Sequence, residues 1–218
     1  MIKRKNILKI AIDSPAAAGA GTLAKAISKH YKLHYLDTGK IYRFIAYLKI
    51  RFPKKFNNKF LKSKIKLLKM KDLENNYLLS DEIGTEASII SKMKSVRKLV
   101  HSFQIDFAYN PPKKYKGSCL DGRDITYKIV PDADLKFYIT ANIKTRAFRR
   151  YKELRSYKRE ITYKEVLKSI KKRDKSDKNR KISPLKKTKD SLLINTTNLN
   201  KRSCFLKIKK IIDRKLNN

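Results

Sequence analysis

Hydrophobic positions along this chain switch repeatedly between two periods. Residues 7–12 form a short apolar run that predicts a buried strand. A run of small residues follows, and then Leu23, Ala26, Ile27 and Tyr31 recur at helical spacing. A second short strand is predicted over 33–37, ending in Asp37. Thr38 and Gly39 are read as a turn, and Ile41, Ile45 and Leu48 as one face of the next helix. Phe52-Pro53 breaks that helix. Residues 61–70 are a lysine-laced amphipathic stretch, and 75–84 read as a small hairpin or short strands. The segment 52–93 is therefore expected to be an insertion with a minor core of its own. A helix over 95–107 turns Val96, Leu99, Val100 and Phe103 inward and stops at Pro111-Pro112. Strands are predicted at 118–120, 135–139 and 192–196, and helices at 140–150, 163–174 and 202–216. Strands alternating with helices imply an α/β fold with a parallel sheet and right-handed crossovers.

Composition narrows the class. Of 218 residues, 41% are hydrophobic, enough for one sizeable core. No 18 consecutive residues are apolar, so no membrane-crossing helix is expected. The basic start, Met1-Ile2-Lys3-Arg4-Lys5-Asn6, is followed by an apolar run too short for a signal peptide, and a cytoplasmic location is expected. Cys119 and Cys204 lie far apart, and His30, His34 and His101 do not cluster, so a zinc site is not expected. The net charge is +37. Its lysines are dispersed along the chain rather than gathered on one element, which reads as a solvated surface, with no specific nucleic-acid partner.

Chemistry concentrates at the predicted strand ends. Between the first strand and helix stand Ser14, Pro15, Ala16, Ala17, Ala18, Gly19, Ala20, Gly21 and Thr22. Small residues there let backbone N–H groups and the helix N-terminus surround a phosphate. The phosphate-loop pattern is G-x-x-x-x-G-K-[ST]. Here Ser14 takes the first glycine position and Ala20 the lysine position, while Gly19, Gly21 and Thr22 are in place. Two further strand ends carry Asp37-Thr38-Gly39-Lys40-Ile41-Tyr42-Arg43 and Asp121-Gly122-Arg123-Asp124, and residues 173–180 alternate Arg with Asp. Guanidinium forks suit phosphate oxygens, and phosphoryl transfer brings many such oxygens together.

With Pro131-Asp132-Ala133, Arg146, Arg149-Arg150, and Arg173-Asp174-x-x-Asp177-x-Asn179-Arg180 before Pro184-Leu185, these motifs resemble the bacterial cytidylate kinase family over nearly the whole chain. The resemblance implies a parallel sheet of P-loop type flanked by helices. It implies transfer of the γ-phosphoryl group of ATP to CMP or dCMP with Mg2+, by a monomer. One kinase domain is implied, with its core at 1–51 and 94–218, a monophosphate-binding insertion at 52–93 and a lid at 151–182. Residues 14–22 would hold the ATP phosphates, with Thr22 near the metal. Thr38, Arg43, Arg123 and Arg180 would meet the CMP phosphate region. Ser88, Arg97 and Asp124 align with residues that read cytosine, and Arg173 and Asp177 with those at the sugar. Arg123, Asp124 and Arg180 would be catalytic. Ile105 and Thr126 stand where the family more often has Arg and Gly.

Ala20 opens two classes. In one, another cation replaces the loop lysine. Lys40 is the first candidate, with Arg146, Arg149 and Arg173 as alternatives expected to arrive only on lid closure. In the other, the chain is an impaired kinase-like protein that binds nucleotide or nucleic acid without turnover. The retained acceptor-side residues Arg43, Arg123, Asp124, Asp177 and Arg180 favour the enzyme.

Overall fold

A computed structural model describes residues 7–156 and 160–217. The basic stretch 1–6 and residues 157–159 of the expected lid lie outside the described residues. The five strands are β1 (Leu8–Asp13), β2 (Leu33–Asp37), β3 (Gly117–Gly122), β4 (Leu135–Thr140) and β5 (Leu192–Asn195). They form one sheet in the order β2-β3-β1-β4-β5, and every neighbouring pair is parallel. Consecutive strands pair at β2–β3 and β4–β5, and because every pair is parallel each connection must cross over rather than turn back as a hairpin. The helices are α1 (Ala20–Tyr31), α2 (Thr38–Arg51), α3 (Asn58–Lys66), α4 (Asp81–Ile90), α5 (Lys94–Tyr109), α6 (Ile143–Ser156), α7 (Tyr163–Asn179) and α8 (Lys201–Leu216). The expected α/β class and parallel sheet are both present. No helix among the described residues is long and apolar enough to cross a membrane.

Helices on the two sides of the sheet complete separate cores. On one side Ile10, Ile12 and Phe137 pack with Leu23, Ala24 and Ile27 of α1 and Ile208 and Ile212 of α8. On the other, Ala11, Leu36 and Leu120 meet Ile41 and Ile45 of α2 and Val96 and Val100 of α5. Strand residues alternate between these two faces, as the pleat demands. Fully burying one such Ile or Phe stabilises the fold by about 1.5–3 kcal/mol.

Four local expectations need correction. Ala26 faces solvent, and Ala24 takes its place inside. Thr38 and Gly39 are not a turn. They form the first turn of α2, directly after Asp37. Residues 75–84 are not a hairpin: a 3-10 turn at Asn76–Leu79 leads into α4, which Ser80 caps by accepting from the Ile83 N–H. Alternation of apolar residues over a few positions does not separate a strand from a tight helical turn. Nor do residues 52–93 have a separate core. Leu61, Ile65, Leu73, Ile83, Ala87 and Ile90 join the same cluster as α2 and α5. A small separate cluster does exist between α6 and α7, formed by Ala147, Leu154, Val166 and Ile170.

Gly117 fixes the start of β3. A Cβ there would lie 2.0 Å from the Leu8 carbonyl oxygen and 2.8 Å from the Leu8 nitrogen, both backbone atoms. Gly117→Ala should therefore force β1 and β3 apart and cost about 1–3 kcal/mol. An unchanged midpoint in urea denaturation would contradict this.

Candidate functional site

The C-terminal ends of β1, β2 and β3 place three segments side by side. β1 ends at Asp13 and runs into the loop 14–19, which closes on α1. Gly19 caps α1 with φ 87°, a conformation that favours glycine. The first turn of α1 carries no acidic residue, leaving its N–H groups open to an anion. Asp13 itself is fully buried and accepts from the N–H groups of Ile125 (2.8 Å) and Thr126 (3.0 Å) and from the Thr126 hydroxyl (2.6 Å). Burial raises its pKa to about 6 against those hydrogen bonds, which lower it. Asp13 thereby ties the start of the loop 14–19 to the segment after Asp124.

Arginines gather on the other side of that loop. Arg123 Nε donates to Asp177 at 2.8 Å. Arg97 reaches Asp124 at 2.9 Å and the Tyr42 hydroxyl at 2.9 Å, and both ion-pair partners are buried. Arg180 stands 3.9 Å from Asp124 and 3.8 Å from Asp177, with its Nε donating to the Ser183 carbonyl. Burial, then the Arg123 charge, and also Arg43 and Arg150 push the Arg173 guanidinium down to about 10. Burial and Arg97 lower Arg180 in the same way. Burial would lower Arg123 too, but the charge and hydrogen bond of Asp177, with the charges of Asp121 and Asp37, together outweigh it and the net shift is upward. Asp177 shows the reciprocal effect: burial would raise it, and Arg123 and Arg173 bring it below the usual carboxylate range. Arg97, Arg123, Arg173 and Arg180 thus lie within charge range of one another beside these strand ends, an arrangement that suits an anion. Arg180 also lines an open cleft of about 650 Å³, bordered by Lys92, Lys94, Lys172, Lys175 and Lys181 and by no carboxylate.

Other expected residues are placed differently. Arg43 Nη1 donates to the carbonyls of Leu78 (2.6 Å) and Ser80 (3.1 Å), and its guanidinium lies against Gly84. Thr38 is buried, and its hydroxyl donates to the Asp121 carbonyl at 2.8 Å. Ser88 is half-buried on α4. Lys40 is half-buried in the first turn of α2. Arg146, expected only on lid closure, already donates to the Ala16 carbonyl at 2.9 Å. Arg149 Nη1 lies 3.9 Å from where a Cβ on Gly19 would stand. Arg146 and Arg149 are therefore at the donor loop without any closing movement. Asp13, Tyr42, Asp174 and Thr196 also contribute, and the sequence reading gave none of them a site role. Asp13 sat inside a recognised motif, but its partners are more than a hundred residues away.

A parallel sheet in this order, with a small-residue anion loop after its central strand and arginines at neighbouring strand ends, defines a nucleoside monophosphate kinase of P-loop type. The family model for cytidylate kinase matches residues 10–214. Cytidylate kinase of Bartonella bacilliformis is 42% identical over 209 residues, covering 95% of both chains. That of Clostridium tetani is 40% identical over 217 residues, with 94% of this chain and 93% of the other covered. That of Mesomycoplasma hyopneumoniae is 35% identical, covering 96% and 95%. The chain belongs to the cytidylate kinase family. A solved structure of an uncharacterized protein from Eubacterium ventriosum shares the fold, with TM-score 0.55 at 16% identity over 94% of this chain and 98% of that one.

The Arg97–Asp124 pair is closed off from water on both sides. Arg97→Ala should cost on the order of 3 kcal/mol, because Asp124 is left buried with only the more distant Arg180. Removing both partners should cost less than the sum of the two single changes. Additive losses in urea denaturation would show that the pair does not act as a unit.

Proposed function

We propose that this chain transfers the γ-phosphoryl group of ATP to CMP or dCMP, giving ADP and CDP or dCDP. The convergence of Arg43, Arg97, Arg123, Arg173 and Arg180 around Asp124 and Asp177 carries the reading. An acceptor phosphate entering there would meet Arg123 and Arg180 together, with Thr38 and Arg43 at its margin. Charge neutralisation and alignment are most of what phosphoryl transfer needs. Arg97 and Asp124 offer a donor and an acceptor side by side, matching the ring nitrogen and amino group of cytosine, with Ser88 beside them on α4. Uracil reverses that pattern and would leave buried groups unpaired. Arg173 and Asp177 would meet the sugar.

Residues 14–22 would hold the donor phosphates. Thr22 is exposed in the first turn of α1, and Asp121 Oδ2 lies 3.4 Å from where a Cβ on Gly21 would stand. Burial and then the Asp37 charge hold the Asp121 carboxyl well above its usual range, a balance that a nearby cation reverses. Hydroxyl and carboxylate oxygens suit Mg2+, which keeps phosphate oxygens and waters as its other ligands. Among the described residues no group of three His, Cys, Asp or Glu could hold a metal alone, so the ion would come with the nucleotide. When bound with the nucleotide near Thr22, Mg2+ would neutralise charge on the donor phosphates. In this reading 52–93 is the monophosphate-binding subdomain and 151–182 the lid, and the protein works as a cytoplasmic monomer.

A coupled assay should show ADP formation that requires CMP or dCMP. Turnover of AMP or GMP at equal or greater rate would overturn the acceptor assignment. Asp124→Asn should lower the preference for CMP over UMP at least tenfold in kcat/KM. With Ala20 in the loop, Lys40→Ala should depress kcat, and Ala20→Lys should restore it in that background. A silent Lys40→Ala would exclude Lys40 as the compensating cation. An inactive wild type that Ala20→Lys activates would instead mark an impaired kinase-like protein.

A further inference from the structure

The donor loop is gripped on the carbonyls of Ala16 and Ala18 by groups from distant elements. Ala16 is held at both ends of its backbone. Its N–H donates to Asp174 Oδ1 at 3.2 Å, and its carbonyl accepts from Arg146 Nη1 at 2.9 Å. Arg146 and Asp174 pair with one another at 2.6 Å, and both are buried. Arg146 Nε is anchored in turn on the Ala141 carbonyl at 2.9 Å. Two residues on, the Ala18 carbonyl accepts from the Thr196 hydroxyl at 3.1 Å. Thr196 is held by Arg149, whose Nη1 donates to its hydroxyl oxygen at 2.9 Å and whose Nη2 donates to its carbonyl at 2.6 Å. Between these two grips Ala17 adopts φ 57°. That left-handed conformation is costly for a residue with a Cβ and persists only where its surroundings impose it.

We propose that Arg146–Asp174 and Arg149–Thr196 are two positioning pairs that hold the donor loop in its anion-binding shape, with Ala17 strained between them. The pairs are independent of the acceptor-side contacts, and they come from α6, α7 and the end of β5. In a loop whose lysine position is Ala20, they also set two guanidinium groups against the loop backbone. The effect is specific to the ATP side: without a grip, Ala17 relaxes to negative φ and the loop amides no longer converge. This inference rests on the kinase reading only for the identity of the donor, ATP.

The experiment is an equilibrium titration of Mg-ATP, beside KM values for ATP and CMP, on the full chain. Asp174→Ala and Thr196→Val should each weaken ATP binding at least tenfold, with KM for CMP within threefold of wild type. Thr196→Ser, which keeps the hydroxyl, should bind ATP within twofold of wild type. Ala17→Gly should recover at least threefold of the lost affinity in either background, because glycine takes positive φ without help. If Asp174→Ala does not fold, Thr196→Val with its serine control decides the matter. ATP affinity unchanged in the variants, a parallel loss of ATP and CMP affinity, or no recovery with Ala17→Gly would overturn the proposal. A wild type that binds ATP but makes no ADP with CMP removes the kinase reading and leaves the grips measurable by titration. A wild type that does not bind ATP overturns both.

Discussion

Guanidinium groups resist burial unless carboxylates or carbonyls replace their water, and this protein buries several of them at the ends of three parallel strands. Three acids make the ion pairs to Arg97, Arg123, Arg146 and Arg180. Asp124 follows β3, while Asp174 and Asp177 lie one turn apart on the same face of α7. Asp177 meets Arg123 and Arg180, and Asp174 meets Arg146. One helix thus supplies the countercharge for arginines from β3, α6 and its own C-terminal end. Asp177 thereby fastens α7 to the segment after β3, and Asp174 fastens it to α6. The apolar cluster between α6 and α7 adds only four buried residues to that attachment.

Such pairing leaves the site poised for an anion. Arg97, Arg123, Arg146 and Arg180 each have a carboxylate partner, so the fold is not forced to carry isolated buried charge at those positions. Burial is the main cause that lowers Arg173 and Arg180, and repulsion from neighbouring arginines adds to it. A phosphate relieves that repulsion by adding negative charge where it is lacking. Binding energy of this kind is available without moving the backbone, which suits a reaction whose barrier is lowered by positioning and neutralisation.

The +37 net charge acts at a different level. Exposed lysines such as Lys172 and Lys175 line the cleft beside Arg180, where they raise the local potential for anionic substrates. Their individual contributions are screened by salt within about 10 Å, unlike the buried arginines.

Periodicity alone was enough to place the strands and most of the helices, because buried parallel strands read as unbroken apolar runs and amphipathic helices repeat at their own period. Residues 7–12 and 33–37 fell within one residue of β1 and β2. The motifs at 37–43, 121–124 and 173–180 also marked the strand ends and helix where arginines and carboxylates gather. What the sequence left open was local hydrogen bonding and long-range pairing. Residues 75–84 became helical turns because Asn75 and Ser80 cap them and α2 covers their apolar side. Thr38 became helical because its hydroxyl found the Asp121 carbonyl, a contact between positions eighty-three residues apart. Arg146 and Arg149 follow one another on α6, yet one holds Ala16 and the other Thr196. No spacing along the chain encodes such choices. They follow from which backbone carbonyl each guanidinium meets once the crossovers have brought α6, α7 and the donor loop together.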